Sequence, residues 1–221
     1  TDPIRTQVVF LRGAAGAGKT AFLRHLTLHT AREYIEGRSS FLYFYIDAQG
    51  RALARLDEAM ALILQDLRAR FTYHAVPALT RAGLLIPIID GFDELLGAGG
   101  YDEAFSSLAR LLAGLQGHGA IIASARATFY QYSNFPRVTQ RLSEASRETT
   151  NFEIHPVDVL PWQQSEVASY ARARTSDQSL VSKVENLASN SLELLSTPFF
   201  IAQLIDLLGT DEETTALPEN I

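Results

Sequence analysis

Gly13-Ala14-Ala15-Gly16-Ala17-Gly18-Lys19-Thr20 has the spacing Gly-x4-Gly-Lys-Thr, and these residue types in this order suit the cradling of phosphate. Glycines let the backbone approach an anion closely and adopt positive φ. Lys19 supplies a point charge for β- and γ-phosphates, and Thr20 a hydroxyl for Mg²⁺. Such a loop works only between a strand and a helix N-terminus, where backbone N–H groups and the helix dipole face the phosphate oxygens. Val8-Val9-Phe10-Leu11 precedes it, apolar and half β-branched like a buried parallel strand. Ala21-Phe22-Leu23-Arg24-His25-Leu26 follows it and begins a helical pattern, so Ala21 joins the candidate phosphate-binding residues. A glycine-rich turn that merely ends in Lys-Thr would not bring this context with it.

A second constellation matches the first. Ile88-Ile89-Asp90-Gly91-Phe92-Asp93-Glu94 is an apolar strand ending in acids, at a distance that fits two βα units after the loop. Asp90 suits a Mg²⁺ held through water, and Asp93 or Glu94 suits the orientation or deprotonation of an attacking water. The residues leave open which of the two does so. The next strand ends in Ser124-Ala125-Arg126, and Arg126 at its tip is a candidate for contact with a γ-phosphate. Asp47 ends an earlier strand at the edge where open α/β sheets bind ligands, although a cap or turn is its simpler reading. His25 and His29 stand at i,i+4 without an intervening glutamate next to His25 or a third ligand, which reads as packing or surface rather than zinc. His155 reads as a strand residue.

The elements that must position these groups follow from periodicity. Strands are expected at 7–12, 41–47, 84–90, 120–124 and 151–155. Pro87 conflicts with a central strand, because it removes a ladder donor. A helix over 19–35 presents Phe22, Leu23, Leu26, Thr30 and Tyr34 on one buried face. A helix over 51–70 carries a stripe of Leu53, Leu56, Met60, Ile63, Leu64 and Leu67, and one over 101–116 carries Phe105, Leu108, Leu112 and Leu115. The segment around Pro77 reads as a short helix or loop, 97–100 as a flexible connector, and 127–150 as a polar stretch with a short helix or site-lining role. After Pro156 the pattern is helical only, with helices at 165–174, around Leu180, Val184 and Leu187, and at 198–208. The expected architecture is an α/β parallel sheet flanked by helices over 1–158, a small helical subdomain over 159–209, and a linker over 210–221 towards a further domain.

Composition sets bounds. With 221 residues and 47% apolar content there is material for a core, and a net charge of −6 argues against a generally basic nucleic-acid surface. The chain has no cysteine, so it holds no disulfide and no thiolate metal site, which fits a cytoplasmic protein. No apolar run has the length of a membrane span. The sequence opens Thr-Asp-Pro-Ile-Arg, without Met, and is expected to be a piece of a longer polypeptide.

With these residues in place, the chain resembles a NACHT-family NTPase module of the STAND class, signal-transducing relatives of AAA+ ATPases. Three features carry the resemblance: the loop Gly13–Thr20, the form Asp90-Gly91-Phe92-Asp93-Glu94, and Leu194-Leu195-Ser196-Thr197-Pro198-Phe199-Phe200 before a final helix. It implies a module that binds ATP or ADP with Mg²⁺, with Pro198 beside the adenine and Arg126 as a sensor of the γ-phosphate. It further implies self-association coupled to nucleotide state, and effector and sensor domains on the same polypeptide. A motor or loader acting on nucleic acid or protein, and a module that only holds ADP, are the competing expectations.

Overall fold

Five short runs rich in Val, Ile, Phe and Tyr form one parallel sheet, because β-branched and aromatic side chains fill a pleated surface covered on both faces. They are β1 (Thr6–Gly13), β2 (Leu42–Asp47), β3 (Leu85–Asp90), β4 (Ala120–Arg126) and β5 (Phe152–Asp158), in the spatial order β2-β3-β4-β1-β5. The structure is a computed structural model and describes residues 5–48, 55–96, 100–128, 152–190 and 195–210. Parallel neighbours need crossovers. Here these contain α1 (Lys19–Ile35), α2 (Leu56–Asp66), α3 (Val76–Arg81) and α4 (Gly100–Leu115). Register brings Gly13 beside Arg126, Arg12 beside Asp158 and Asp47 beside Asp90, so the carboxyl ends of the strands share one edge.

Contacts divide the chain into two compact units, Thr1–Ala14 with Lys19–Asp158, and Ala15–Gly18 with Val159–Ile221. In the first, the core runs through Val8 and Phe10 of β1, Phe44 and Ile46 of β2, Ile89 of β3 and Ile121 of β4. Helix residues Leu56, Met60, Leu108 and Leu112 cover it. Phe10 meets Phe92 edge to face at 5.9 Å, directly behind the acidic turn. In the second, α5 (Gln164–Arg174), α6 (Gln178–Asn190) and α7 (Pro198–Thr210) bury Val167, Ala171, Val181, Val184, Ala188 and Ile201. A capping box between Gln163 and Glu166 starts α5, and Arg172–Glu185 and Arg174–Asp206 pairs tie it to α6 and α7.

Several local expectations change. Leu23 and Thr30 of α1 are buried, but Phe22 and Tyr34 are 54% and 47% exposed. Helix α2 ends at Asp66 rather than at residue 70, because Arg68 turns left-handed at φ 51° and Ala69 N–H bonds back to Leu64 O at 2.9 Å. Leu67 is therefore outside the helix and exposed. On α6, Leu187 is also exposed, and Val181 and Ala188 take the buried face instead. Strand β5 does not stop before Pro156 but continues to Asp158. It is the outer strand beside β1, where a missing N–H is tolerated. Pro87 does lie within β3, and the ladder to β4 pairs Ile88 with Ile122 only after it. The expected features at Leu53, in 97–99, in 129–150 and in 211–221 lie outside the described residues.

Phe10→Ala should cost about 3–5 kcal/mol in the denaturant unfolding of the sheet unit, whereas Phe22→Ala should stay within about 0.5 kcal/mol. Equal losses in the two variants would contradict the burial described for α1.

Candidate functional site

Asp90 is the centre of the strand-end edge. It is 1% exposed, and a carboxylate so placed must find hydrogen-bond donors or destabilise the fold. Two hydroxyls supply them. Ser124 of β4 donates to Oδ1 in a short hydrogen bond, and Tyr45 of β2 donates to Oδ2 at 2.7 Å. The backbone N–H of Gly91 donates to Ser124 Oγ at 2.9 Å. Arg24 of α1 donates to the Tyr45 oxygen at 3.2 Å and to Asp47 Oδ2 at 3.0 Å. Burial, and next the hydrogen bond to Asp90, push the Tyr45 phenol well above its ordinary pKa.

The remaining charged candidates gather around Lys19, the first residue of α1. Two of its three N–H donors go to Gly13 O and Ala14 O, both at 2.9 Å. Burial lowers the Lys19 pKa, while the charges of Asp93 and Asp90 raise it and that of Arg126 lowers it. Asp93 and Glu94 lie in the 3-10 turn Phe92–Leu96 that follows β3. Arg126, at the end of β4, donates to Glu94 Oε1 at 2.8 Å, and its Nε lies 3.5 Å from Asp93 Oδ2. Burial pushes the Asp93 carboxyl above its usual range, against the backbone N–H groups of Asp93 and Arg126 and the Arg126 charge.

The phosphate-loop glycines adopt the conformations that their type permits. Gly16 and Gly18 sit at φ 74° and 91°, in the left-handed region that a side chain disfavours. Space forbids a side chain at Gly16 as well, since a Cβ there would lie 2.8 Å from Phe199 Cβ. Phe199 N–H donates to Gly16 O at 3.3 Å, and a Cβ at Gly18 would touch Pro198, the first residue of α7, at 3.8 Å. Ala15 precedes Gly16 and Ala17 lies between the two glycines, Thr20 is in the first turn of α1, and Ala21 is exposed on it.

A family model for the NACHT domain matches residues 7–178. The chain belongs to the NACHT family. The match covers β1, the phosphate loop and the acidic turn in one stretch. No curated protein matches this NACHT chain. Among solved structures it is similar to the ORC1 protein of Aeropyrum pernix in complex with DNA, with TM-score 0.53 and 19% identity over 92% of this chain and 55% of that one. It is also similar to a Walker-type ATPase of Pyrococcus abyssi, with TM-score 0.54 and 14% identity over 88% and 60%. A third similar structure is the ORC2 protein of Aeropyrum pernix in ADPNP–ADP complexes, with TM-score 0.50 and 14% identity over 76% and 45%. The NACHT chain thus spans about half the length of these proteins and shares their P-loop ATPase fold.

The residues fit a magnesium nucleotide. Asp90 offers hard oxygen acceptors, each with one lone pair still free of the two hydroxyls described, and Thr20 offers a hydroxyl. Among the described residues no group of three or more His, Asp or Glu side chains forms a cage. His25 and His29 stack on α1 at 6.2 Å between ring centroids, and His155 bonds to Gln7 within the sheet. No described helix is long and apolar enough to cross a membrane. Sequence reasoning missed Tyr45 and Arg24 at the site, and it noticed Asp47 and Ser124 without a role. A polar hydroxyl two residues before the strand-end acid of an otherwise apolar run was the available signal for Tyr45.

The raised Asp93 pKa has a sign. A carboxyl whose folded pKa lies above its unfolded one binds protons more readily in the native state, so its charge costs stability at neutral pH, and the cost fades as pH falls through the raised value. Asp93→Asn should therefore raise the melting temperature at neutral pH, by an increment that shrinks on acidification. Thermal melts across an acid-to-neutral series check this, and a drop at neutral pH would contradict it.

Proposed function

We propose that this NACHT chain binds ATP or ADP with Mg²⁺, hydrolyses ATP slowly, and acts as a nucleotide-dependent switch for self-association within a larger signalling or immune protein. The observation that carries the catalytic part is the strand-end cluster in which Arg126 lies 2.8 Å from Glu94 and 3.5 Å from Asp93, just after the buried Asp90, in a chain with a Gly-x4-Gly-Lys-Thr loop. Backbone N–H groups of residues 13–20 would hold the phosphates, with Lys19 exchanging its carbonyl partners for phosphate oxygens. Bound Mg²⁺, held by Thr20 and, through water, by Asp90, would neutralise charge developing between the β- and γ-phosphates. Asp93 is the better candidate to take a proton from the attacking water, because its burial makes it a stronger base than an ordinary aspartate. Glu94 is engaged by Arg126 at 2.8 Å, an exposed pair that a γ-phosphate can compete for. Arg126 would then report the γ-phosphate by leaving the acids.

The switch role, the effector and sensor domains on the same polypeptide, and self-association as the output rest on the family resemblance of the loop and of Asp90-Gly91-Phe92-Asp93-Glu94. One similar protein was solved with DNA, but the net charge of −6 favours a different partner for this chain.

Binding and turnover separate the roles. Lys19→Ala should abolish detectable Mg-ATP binding by calorimetry, and wild-type affinity in that variant would rule the site out. Asp93→Asn should keep binding but reduce phosphate release at least about a hundredfold, and retained turnover would move the base to Glu94.

A further inference from the structure

We propose that Tyr45 is a positioning residue for the metal-holding carboxylate: with Ser124 it forms a two-hydroxyl clamp that fixes Asp90 in one orientation, and the Arg24–Asp47 pair sets the direction of the Tyr45 hydrogen. The inference rests on the assignment of Asp90 to Mg²⁺ and adds residues that neither the loop nor the acidic turn contains.

Donor arithmetic determines the direction of each bond. An arginine N–H can only donate, so the Tyr45 oxygen accepts from Arg24 Nε and its own hydrogen goes to Asp90 Oδ2. A backbone N–H can likewise only donate, so Ser124 Oγ accepts from Gly91 and its hydrogen goes to Asp90 Oδ1. Asp90 is therefore an acceptor on both sides, and its carboxylate plane is pinned from two neighbouring strands. The remaining lone pairs then point in one set of directions, which is what a metal ion held through water requires of an outer ligand. Arg24 is itself held by Asp47, the residue opposite Asp90 in the β2–β3 register. The line Asp47–Arg24–Tyr45–Asp90–Ser124 thus crosses α1, β2, β3 and β4 by side-chain bonds alone. If these hydroxyls only satisfied a buried charge, their loss would lower stability and leave the response to Mg²⁺ unchanged.

The test is a titration of the 221-residue chain with MgCl₂, followed by binding of a fluorescent ATP analogue, with parallel binding in EDTA and a thermal melt. Tyr45→Phe keeps the ring and removes the clamp's hydroxyl. It should raise the Mg²⁺ concentration for half-maximal binding about tenfold and leave the affinity in EDTA within twofold of wild type. Arg24→Met, at an exposed position, frees the Tyr45 hydrogen to point elsewhere and should shift the Mg²⁺ midpoint in the same direction by a smaller factor. This second variant reports on the clamp should Tyr45→Phe fail to fold. Unchanged or lowered Mg²⁺ midpoints in the folded variants, or equal losses with and without Mg²⁺, would overturn the proposal. A wild-type chain whose binding ignores Mg²⁺ would overturn the assignment of Asp90 and the clamp together, whereas a responsive wild type with unresponsive variants overturns the clamp alone.

Discussion

Parallel pairing in a fixed register is the constraint on which the site depends. In a parallel sheet every strand runs the same way, so the ends of β1, β2, β3 and β4 must emerge at one edge. A one-residue slip in any pair would turn side chains to the opposite face. The observed register sets Gly13 opposite Arg126 and Asp47 opposite Asp90. The loop that begins at Gly13, the acidic turn that follows Asp90 and the arginine that ends β4 are thereby brought to one edge by the strand pairing. The chemistry is local, but its alignment is a property of the whole sheet.

The cost of that alignment concentrates at Asp90. A buried carboxylate loses hydration worth several kcal/mol unless donors replace water. Here the replacements are two hydroxyls from the neighbouring strands, one of them held in turn by the Gly91 amide, and Phe92 packing on Phe10 keeps the next turn seated on the core. Lys19 and Asp93 show the same tension in opposite directions. Desolvation disfavours the charged form of each, and neighbouring opposite charge restores part of it. A set of groups held slightly against their preferred ionisation is a normal condition of reactive sites.

Much of this was legible in the sequence. The loop and the acidic turn carry their meaning in contiguous residues, so the parallel α/β fold flanked by helices and the NACHT family followed from them. What escaped depends on which elements become neighbours. Tyr45 belongs to a strand that reads as apolar, and its bond to Asp90 exists only because β2 lies beside β3. Phe22 and Tyr34 fall at helical spacing, but spacing does not say which part of an apolar arc meets the sheet, and theirs does not. Arg68 ends α2 in a conformation usually left to glycine, so no residue type announced the stop. The extension of β5 past Pro156 was masked by a residue that normally ends strands.

Pro156 carries a wider consequence. The outer strand of a sheet is a template on which other chains can add, and such growth leads towards fibrils and mispaired aggregates. A proline has no N–H, so Pro156 removes one donor from this strand while the register to β1 runs on through it to Asp158. A strand interrupted in this way is a poorer seed for runaway strand stacking than an unbroken one.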